Sequence, residues 1–352
     1  MKLFSLFLFL CAAAAPALAG EFPLCMYGVA GPEDLAALKK AGFNCFQSYD
    51  KNPAKLAALA GAAAALDMQM VAAPDEVIAS TYAAAAKSWP MLAWYLCDEP
   101  EVQKLKPAEL LQRERRVKDW DAAQRTTFVM GNGMAAFTYG AAADALMVDW
   151  YPVNHLKLES VGYQVMLLKA AAASMDKARP GKPVWAVLQA FDWHEYPQFV
   201  SPPVGRFPTF DELRFMSYLS IARGAQGLFY YTLHQKAGSL AAQPWRWALF
   251  ERLNLELNTL MPALRGVTDA PVPPGIGAGL SARVVKGGGR TFMILLNPTA
   301  AMVRVELAAL KGWRPLFETH RDLAALLPGK GARWLPPYRV LVLEKRRRFI
   351  FF

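Results

Sequence analysis

Along most of the chain, short apolar runs rich in β-branched and aromatic residues alternate with longer stretches whose apolar positions recur at helical spacing. The short runs predict strands at Cys25 to Val29, Phe43 to Tyr49, Met68 to Ala73, Leu92 to Cys97, Thr127 to Gly131, Ala145 to Trp150, Val184 to Phe191 and Gly227 to Leu233. The intervening segments carry helix signals. Pro32-Glu33-Asp34 opens the first helix and Gly42 closes it, Pro53 precedes an Ala/Leu/Lys helix reaching Leu66, and Pro107 precedes one with a charged face through Arg113, Glu114 and Lys118. Thr209 and Glu212 form a capping-box pattern before a helix that closes at Arg223-Gly224, and a last helix spans the region of Trp245 to Leu264. Eight such units predict an α/β fold, a TIM (β/α)8 barrel over residues 20–266.

From Val267 onward the pattern changes. Pro271, Pro273 and Pro274 mark a linker, and short β-type segments follow at Gly279 to Val285, Thr291 to Leu296, Met302 to Leu307, Arg314 to Glu318 and Tyr338 to Glu344. Short strands separated by turns, without a long helix, predict a small C-terminal β-sandwich over residues 267–352.

The first residues stand apart from both patterns. Lys2 supplies a positive start, Leu3 to Ala15 a short apolar core, and Ala17-Leu18-Ala19 a small-residue cleavage pattern, so residues 1–19 are expected to be a signal peptide. The apolar run is shorter than the ~20 residues that span a bilayer, and no later segment supplies a span. The mature chain is therefore expected to be secreted or periplasmic. Leu10 stands before Cys11 where a lipoprotein cysteine would need a small residue. Beyond the leader only Cys25, Cys45 and Cys97 remain, without metal-site spacing, and they are read as buried small thiols in preference to a Cys25–Cys45 bridge.

Composition adds bounds. Of 352 residues, 54% are hydrophobic and 19% charged, which supports a large core and argues against disorder. The formal net charge of +10 raises the question of an anionic partner, but Lys and Arg are scattered, with one dense run at Lys345 to Arg348. Solvated faces and a basic tail explain that pattern better than nucleic-acid binding. No G-x-G-x-x-G, P-loop or G-x-S-x-G element sits where nucleotide or serine-hydrolase chemistry needs it, and no cofactor is called for.

A barrel of this kind places its active site at the carboxyl ends of its strands. Those ends offer Tyr27, Gln47, Tyr49, Asp98, Glu99, Asn132, Asp149, Trp150, Tyr151, Gln189, Asp192, Trp193, Tyr231 and His234, a rim rich in carboxylates and aromatics. Asp50 and Asp75 read as helix caps. Asp98-Glu99-Pro100 is different, because two adjacent acids follow the apolar run Leu92 to Leu96. Strand geometry predicts that one faces the barrel mouth and the other its wall. Glycosidic cleavage needs a proton donor of raised pKa and a second group to stabilise an oxocarbenium-like centre, which crowded carboxylates over aromatics can supply. Trp150, Tyr151, Trp193 and Tyr231 are placed to stack on sugar, whereas Trp94, Trp185 and Phe229 read as core. His155, His194 and His234 match no zinc spacing and read as loop residues that touch substrate; no metal is expected.

The segment Trp94-Tyr95-Leu96-Cys97-Asp98-Glu99-Pro100-Glu101 resembles the fourth-strand W-x-x-x-N-E-P pattern of the large clan of retaining glycoside hydrolases with (β/α)8 barrels. It is also similar to the W-x-L-x-D-E-P form of poorly characterised barrel glycosidases. The resemblance continues through MVDWYPV, PVWAVLQAFDW and GAQGLFYYTLH into the appended β-sandwich. It implies that Glu99 is the general acid/base and that Asp98 stands where the clan's Asn meets the substrate's 2-substituent. The clan's strand-7 Glu nucleophile is missing here, where Gln189 stands; Asp192 lies three residues out of register, and Asp149 is the stronger second carboxylate. Substrate-assisted hexosaminidases offer another reading, with Asp98 orienting an acetamido group held by Tyr151 or Tyr230, although their H-x-G-G-D-E surroundings are absent. The expected partner is thus an oligo- or polysaccharide. The competing readings are a non-catalytic glycan-binding protein and, more remotely, an assembly factor for an exported acidic polysaccharide.

Overall fold

The computed structural model describes residues 22–346 except 176–178, 180, 199–204, 267 and 318–330. The leader, part of the basic tail and the end of the strand expected at Arg314 to Glu318 lie outside the described residues.

The eight expected strands all form, each within a few residues of its predicted bounds. β1 (Leu24–Met26), α1 (Glu33–Lys40), β2 (Cys45–Gln47), α2 (Pro53–Ala65) and β3 (Gln69–Ala72) make the first units. Two single-turn helices, α3 (Asp75–Ile78) and α4 (Ala83–Ala86), lead to β4 (Met91–Asp98), α5 (Pro107–Trp120) and β5 (Thr126–Met130). The short α6 (Ala136–Tyr139), β6 (Ala145–Trp150), α7 (Ser160–Ser174), β7 (Val184–Gln189), α8 (Phe210–Ala222) and β8 (Leu228–Tyr231) follow. A two-stranded hairpin, β9 (His234–Gln235) and β10 (Gly238–Ser239), precedes α9 (Pro244–Arg265). Strands β1 to β8 pair in parallel and in order, and β8 closes onto β1.

Local sequence explains the helix ends. Asn52 accepts hydrogen bonds from the N–H groups of Ala54 and Lys55 at the start of α2. Thr209 and Glu212 cap α8 reciprocally, Glu212 N–H to Thr209 Oγ1 at 3.3 Å and Thr209 N–H to Glu212 Oε2 at 2.8 Å. Asp50 binds the Asn52 N–H and pairs with Lys55, and Asp75 pairs with Arg116, which gives both acids structural work.

The pleat divides the strand residues into two sets. Cys25, Tyr27, Cys45, Ala93, Tyr95, Ala145, Met147, Trp185, Val187 and Phe229 fill the barrel interior. Their neighbours Met26, Phe46, Trp94, Val148, Leu188 and Tyr230 face outward and pack under the helices. Trp94, Trp185 and Phe229 are core, as expected. The cysteines depart from expectation: Cys25 and Cys45 are directly opposed on β1 and β2, 4.5 Å apart at Cα, and form a disulfide. Parallel register brings two inward-facing thiols within bonding reach, which decides for the bridge over two separate buried thiols. Cys97 is free.

The C-terminal part contains β11 (Thr268–Ala270), β12 (Ser281–Gly287), β13 (Arg290–Leu296), β14 (Val303–Glu306), β15 (Trp313–Pro315), β16 (Ala332–Leu335) and β17 (Val340–Lys345). A five-stranded antiparallel sheet, ordered β11-β12-β13-β17-β15, faces the two-stranded sheet β14-β16. Met293, Leu295, Leu341 and Leu343 pack towards Val305 and Leu335 of the small sheet. Their alternates Phe292, Ile294, Val340 and Val342 join the core that runs under the barrel helices. β11 and β16 were not foreseen. Among the described residues no helix is long and apolar enough to cross a membrane.

Candidate active site

β4 ends in a break of its own pleat. Against β5, Tyr95 is opposite Thr127 and Asp98 is opposite Val129, so three steps on β4 match two on β5. That bulge turns Asp98 to the same interior side as Tyr95. Glu99 then takes a left-handed conformation, φ 41°, held by its N–H donating to Val129 O at 3.0 Å. Both acids consequently line one cavity, and the expectation that one would face the wall is corrected: alternation stops where the bulge begins.

The cavity, about 340 Å³, is lined by Tyr49, Asp98, Glu99, Asp149, Tyr151, Phe191, Trp193, Tyr196 and Tyr231. Asp149 continues the inward set of β6 after Ala145 and Met147. Its Oδ2 accepts from the Tyr151 hydroxyl at 3.1 Å, and its buried Oδ1 has no protein partner. Asp98 Oδ1 accepts from the Tyr95 hydroxyl at 2.5 Å, and its carbonyl accepts from Gln103. Burial, followed by the charges of Glu99 and Asp98, pushes the Asp149 carboxyl well above the usual carboxylate range. Burial, then the charges of Asp98 and Glu101, raises Glu99 as well. Both shifts share a cause, since each carboxyl is buried beside other acids that disfavour its charged form.

Two residues frame Glu99 without having been foreseen. Glu101 Oε1 accepts from the Gly131 N–H at 2.6 Å, tying the end of β5 to the turn after β4, while its Oε2 is buried without a partner. Burial raises its carboxyl too. At Gly131 a Cβ would stand 2.6 Å from Glu99 Oε1, so a side chain there would displace the end of Glu99.

The walls are aromatic. Phe191 lies edge-on to Tyr151, Trp193 and Tyr196 with ring centroids 5.0, 4.8 and 4.9 Å away, and Tyr151 is 5.7 Å from Tyr231. Trp193 Nε1 donates to Tyr151 O at 3.2 Å, and the hydroxyls of Tyr196 and Tyr231 are bonded. An adjoining cavity of about 290 Å³ shares Tyr49 and Asp98 and continues over Lys51, Glu76 and Arg113.

Glu99, Asp98, Asp149, Tyr49, Tyr151, Trp193 and Tyr231 thus line the one cavity, whereas seven other rim residues do not. Tyr27 is fully buried beneath it, 6.0 Å from both Tyr49 and Tyr231, and supports those rings from below. Gln47 is fully buried and accepts from the Gly28 N–H at 3.2 Å. Gln189 accepts from Val153 N–H at 2.8 Å and donates to Phe191 O at 3.2 Å, so its amide braces two loops. Asn132 caps the turn at Gly133–Ala135, and Asp192 caps the turn at Trp193–Glu195. Trp150 belongs to the outward set and donates to Ser160 Oγ at 2.7 Å. His234 bonds Asp34 at 2.8 Å on the exposed side.

Two further loop histidines also miss the cavity: His155 leans on Trp193 from outside, and His194 pairs with Asp192. Tyr230 points outward to Ser217 at 2.8 Å, which removes it as an acetamido holder. Phe191, Tyr196, Tyr95, Glu101 and Gly131 were missed; only Tyr95 had a readable signal, as an odd-numbered member of the inward set on β4.

No family model and no curated protein sequence matches this chain. Among solved structures it is similar to a beta-galactosidase from Bacillus circulans sp. alkalophilus, with a TM-score of 0.61 and 9% identity, covering 93% of this chain and 100% of that one. It is similar to a glycoside hydrolase family 5 protein from Bacteroides vulgatus, with a TM-score of 0.59 and 13% identity over 92% of this chain and 88% of that one. An alpha-amylase from Geobacillus thermoleovorans, complexed with acarbose, gives 0.52 and 10% identity over 93% and 98%. At such identities the likeness establishes the fold: a closed eight-stranded barrel of the architecture found in several glycoside hydrolases.

Proposed function

We propose that this chain is a glycoside hydrolase with Glu99 as general acid/base and Asp149 as the second carboxylate. The observation that carries it is the meeting of Asp98, Glu99 and Asp149, from β4 and β6, in one aromatic-walled cavity at the carboxyl end of the barrel. A glycosidic bond breaks when its oxygen is protonated while negative charge faces the developing oxocarbenium centre. Glu99, whose carboxyl is raised by burial and by its acidic neighbours, is the donor. Asp149, with Asp98 in the same cavity, faces the developing positive charge, and Tyr151 and Tyr95 orient the two carboxyl groups. The aromatic walls stack on the sugar ring. Saccharide as ligand class agrees with the acarbose held by the similar amylase.

A second route draws on two observations: Asp98 and Glu99 face the same cavity, and Gln189 is committed to the backbone. In that route Asp98 orients a substrate acetamido group whose oxygen attacks the anomeric carbon, and Glu99 protonates the leaving oxygen. Tyr151 remains at the cavity to assist. We also propose export, which the Cys25–Cys45 disulfide supports because such bridges persist in oxidising compartments.

Glu99→Gln tests the assignment. Screening the purified chain against aryl glycosides and oligosaccharides, with and without a 2-acetamido group, is expected to reveal a substrate. On one with a poor leaving group the variant should lose about 10²- to 10⁴-fold in rate with its fold intact. Full activity of the variant removes Glu99 from the mechanism. Cleavage confined to acetamido substrates selects the Asp98 route, and binding without cleavage by the wild type makes the chain a glycan-binding protein.

A further inference from the structure

A cavity of about 680 Å³ lies apart from the one lined by Glu99 and Asp149. It lies at the seam between the barrel and the C-terminal sheets, with Asn154, His155 and Lys157 of the β6–α7 loop on one side and Tyr338 and Arg339, ahead of β17, on the other. We propose that this seam is a second saccharide site, which holds distal units of a chain whose scissile end occupies the catalytic cavity. The inference rests on the glycosidase reading and names where a longer substrate runs.

Three features argue that the seam is built for an occupant. Its floor is rigid: Arg214, buried, pairs with Glu256 on α9 at 2.7 Å and donates to Val340 O at 3.0 Å, fixing barrel helix and sheet together. Its two sides each present a side chain from a left-handed backbone, Asn154 at φ 82° and Tyr338 at φ 55°. Such conformations are uncommon for residues other than glycine and for a bulky ring are outliers, held only where the surroundings over-determine them. Tyr338 is braced edge-on by Phe215, 5.2 Å away, and its hydroxyl is bonded to the Glu159 carboxyl group, which fixes the ring at the cavity wall. The third feature is adjacency. His155, at this cavity, packs its ring edge-on to Trp193 at 4.9 Å, and Trp193 lines the cavity of Glu99, so the two spaces lie on either side of one pair of rings.

The chemistry suits a neutral or mixed-charge glycan. The lining carries the cations Lys157 and Arg339 and the acids Asp211 and Glu212, with Asn154 and His155 as further polar groups and Leu156 and Tyr338 as apolar surface. A site with both signs of charge and an aromatic ring matches hydroxyls above and C–H faces below.

The test uses the full chain carrying Glu99→Gln, so that binding is read without turnover, against ladders of malto-, cello-, xylo- and chito-oligosaccharides from disaccharide to hexasaccharide. Affinity is expected to rise with chain length in the series that binds. Tyr338→Gly, which removes the ring and relieves the left-handed strain, should lower affinity for the longest member about tenfold, the loss of one stacking contact, while the disaccharide binds as before. Tyr338→Phe should restore the long-chain affinity, and His155→Ala, on the opposite and exposed side, should reproduce part of the loss. In the otherwise wild-type chain, Tyr338→Gly should leave hydrolysis of a short aryl glycoside unchanged. Length-dependent affinity that survives both Tyr338→Gly and His155→Ala overturns the seam site while leaving the glycosidase reading standing. Absence of any glycan binding or cleavage by the wild type overturns the glycosidase reading, and the seam site with it.

Discussion

At Gly131 the absence of a side chain leaves room for the carboxyl of the proposed acid. A methyl group there would stand 2.6 Å from Glu99 Oε1, and the movable partner is the end of the Glu99 side chain. Gly131→Ala should therefore shift that carboxyl and lower kcat/KM for the glycan substrate by about a hundredfold, the cost of a misplacement near 1 Å. Circular dichroism and Tm should stay close to wild type, and unchanged kcat/KM would show that Glu99 is not held where the reaction needs it. Asp149 shows the opposing cost of the site to stability. Its folded pKa is raised, so the folded state binds its proton more tightly than the unfolded chain does. Stability from this group is complete below the ordinary Asp range, about pH 4, and is lost as pH rises towards the raised value. Asp149→Asn never ionises and still accepts from Tyr151. Its Tm should exceed wild type at neutral pH, with the gap closing as pH falls to about 4, while glycan cleavage is lost. A Tm deficit at neutral pH would overturn this account.

Among elements, β1 and β2 are stapled by the Cys25–Cys45 bridge across a sequence separation of 20. In the chain-entropy model a loop of that size is worth roughly 3 kcal/mol. Replacing both cysteines by alanine should lower denaturant stability by about that amount, adding a small cavity cost inside the barrel. A reductant should destabilise the wild type and leave the double variant unaffected. Equal stability of the two proteins in the absence of reductant would argue against the bridge. The elements differ in how far the residues announced them. The barrel strands were legible because buried parallel strands read as apolar runs between helical patterns. β11 and β16 were not, because Thr268-Asp269-Ala270 and Ala332-Arg333-Trp334-Leu335 owe their form to partner strands and carry mostly exposed side chains.

The site was legible to the same depth. Alternation along β6 and β8 places Asp149 and Tyr231 inward and Trp150 and Tyr230 outward, a distinction already present in the residue spacing. The bulge at Asp98 and the left-handed turn at Glu99 are set by pairing with β5, which no local pattern encodes. Asn132, Asp192 and His234 had the right residue types at strand ends, but capping and loop pairing use the same polar groups that a sugar would.

In the whole molecule the barrel and the C-terminal sheet share one apolar core, since Phe292, Ile294, Val340 and Val342 pack with α8 and α9. Set within that core is a charged joint. Arg214 and Glu256 side chains are each only 6% exposed, and the Tyr218 hydroxyl donates to the same carboxylate oxygen at 3.2 Å. An ion pair so placed adds little over a well-packed apolar substitute, but losing one partner leaves a buried charge without its counter-ion. Arg214→Met should thus destabilise the protein by roughly 3–5 kcal/mol. Adding Glu256→Gln in the same chain should recover a large part of that loss, because an amide needs no counter-charge and still accepts from Tyr218. Calorimetry is the suitable measurement, since a shared core predicts a single cooperative transition for wild type and double variant alike. Two separated transitions in the wild type would mean that barrel and sheet fold independently. No recovery in the double variant would mean that the Arg214 bond to Val340 O, and not the buried charge, holds the halves together.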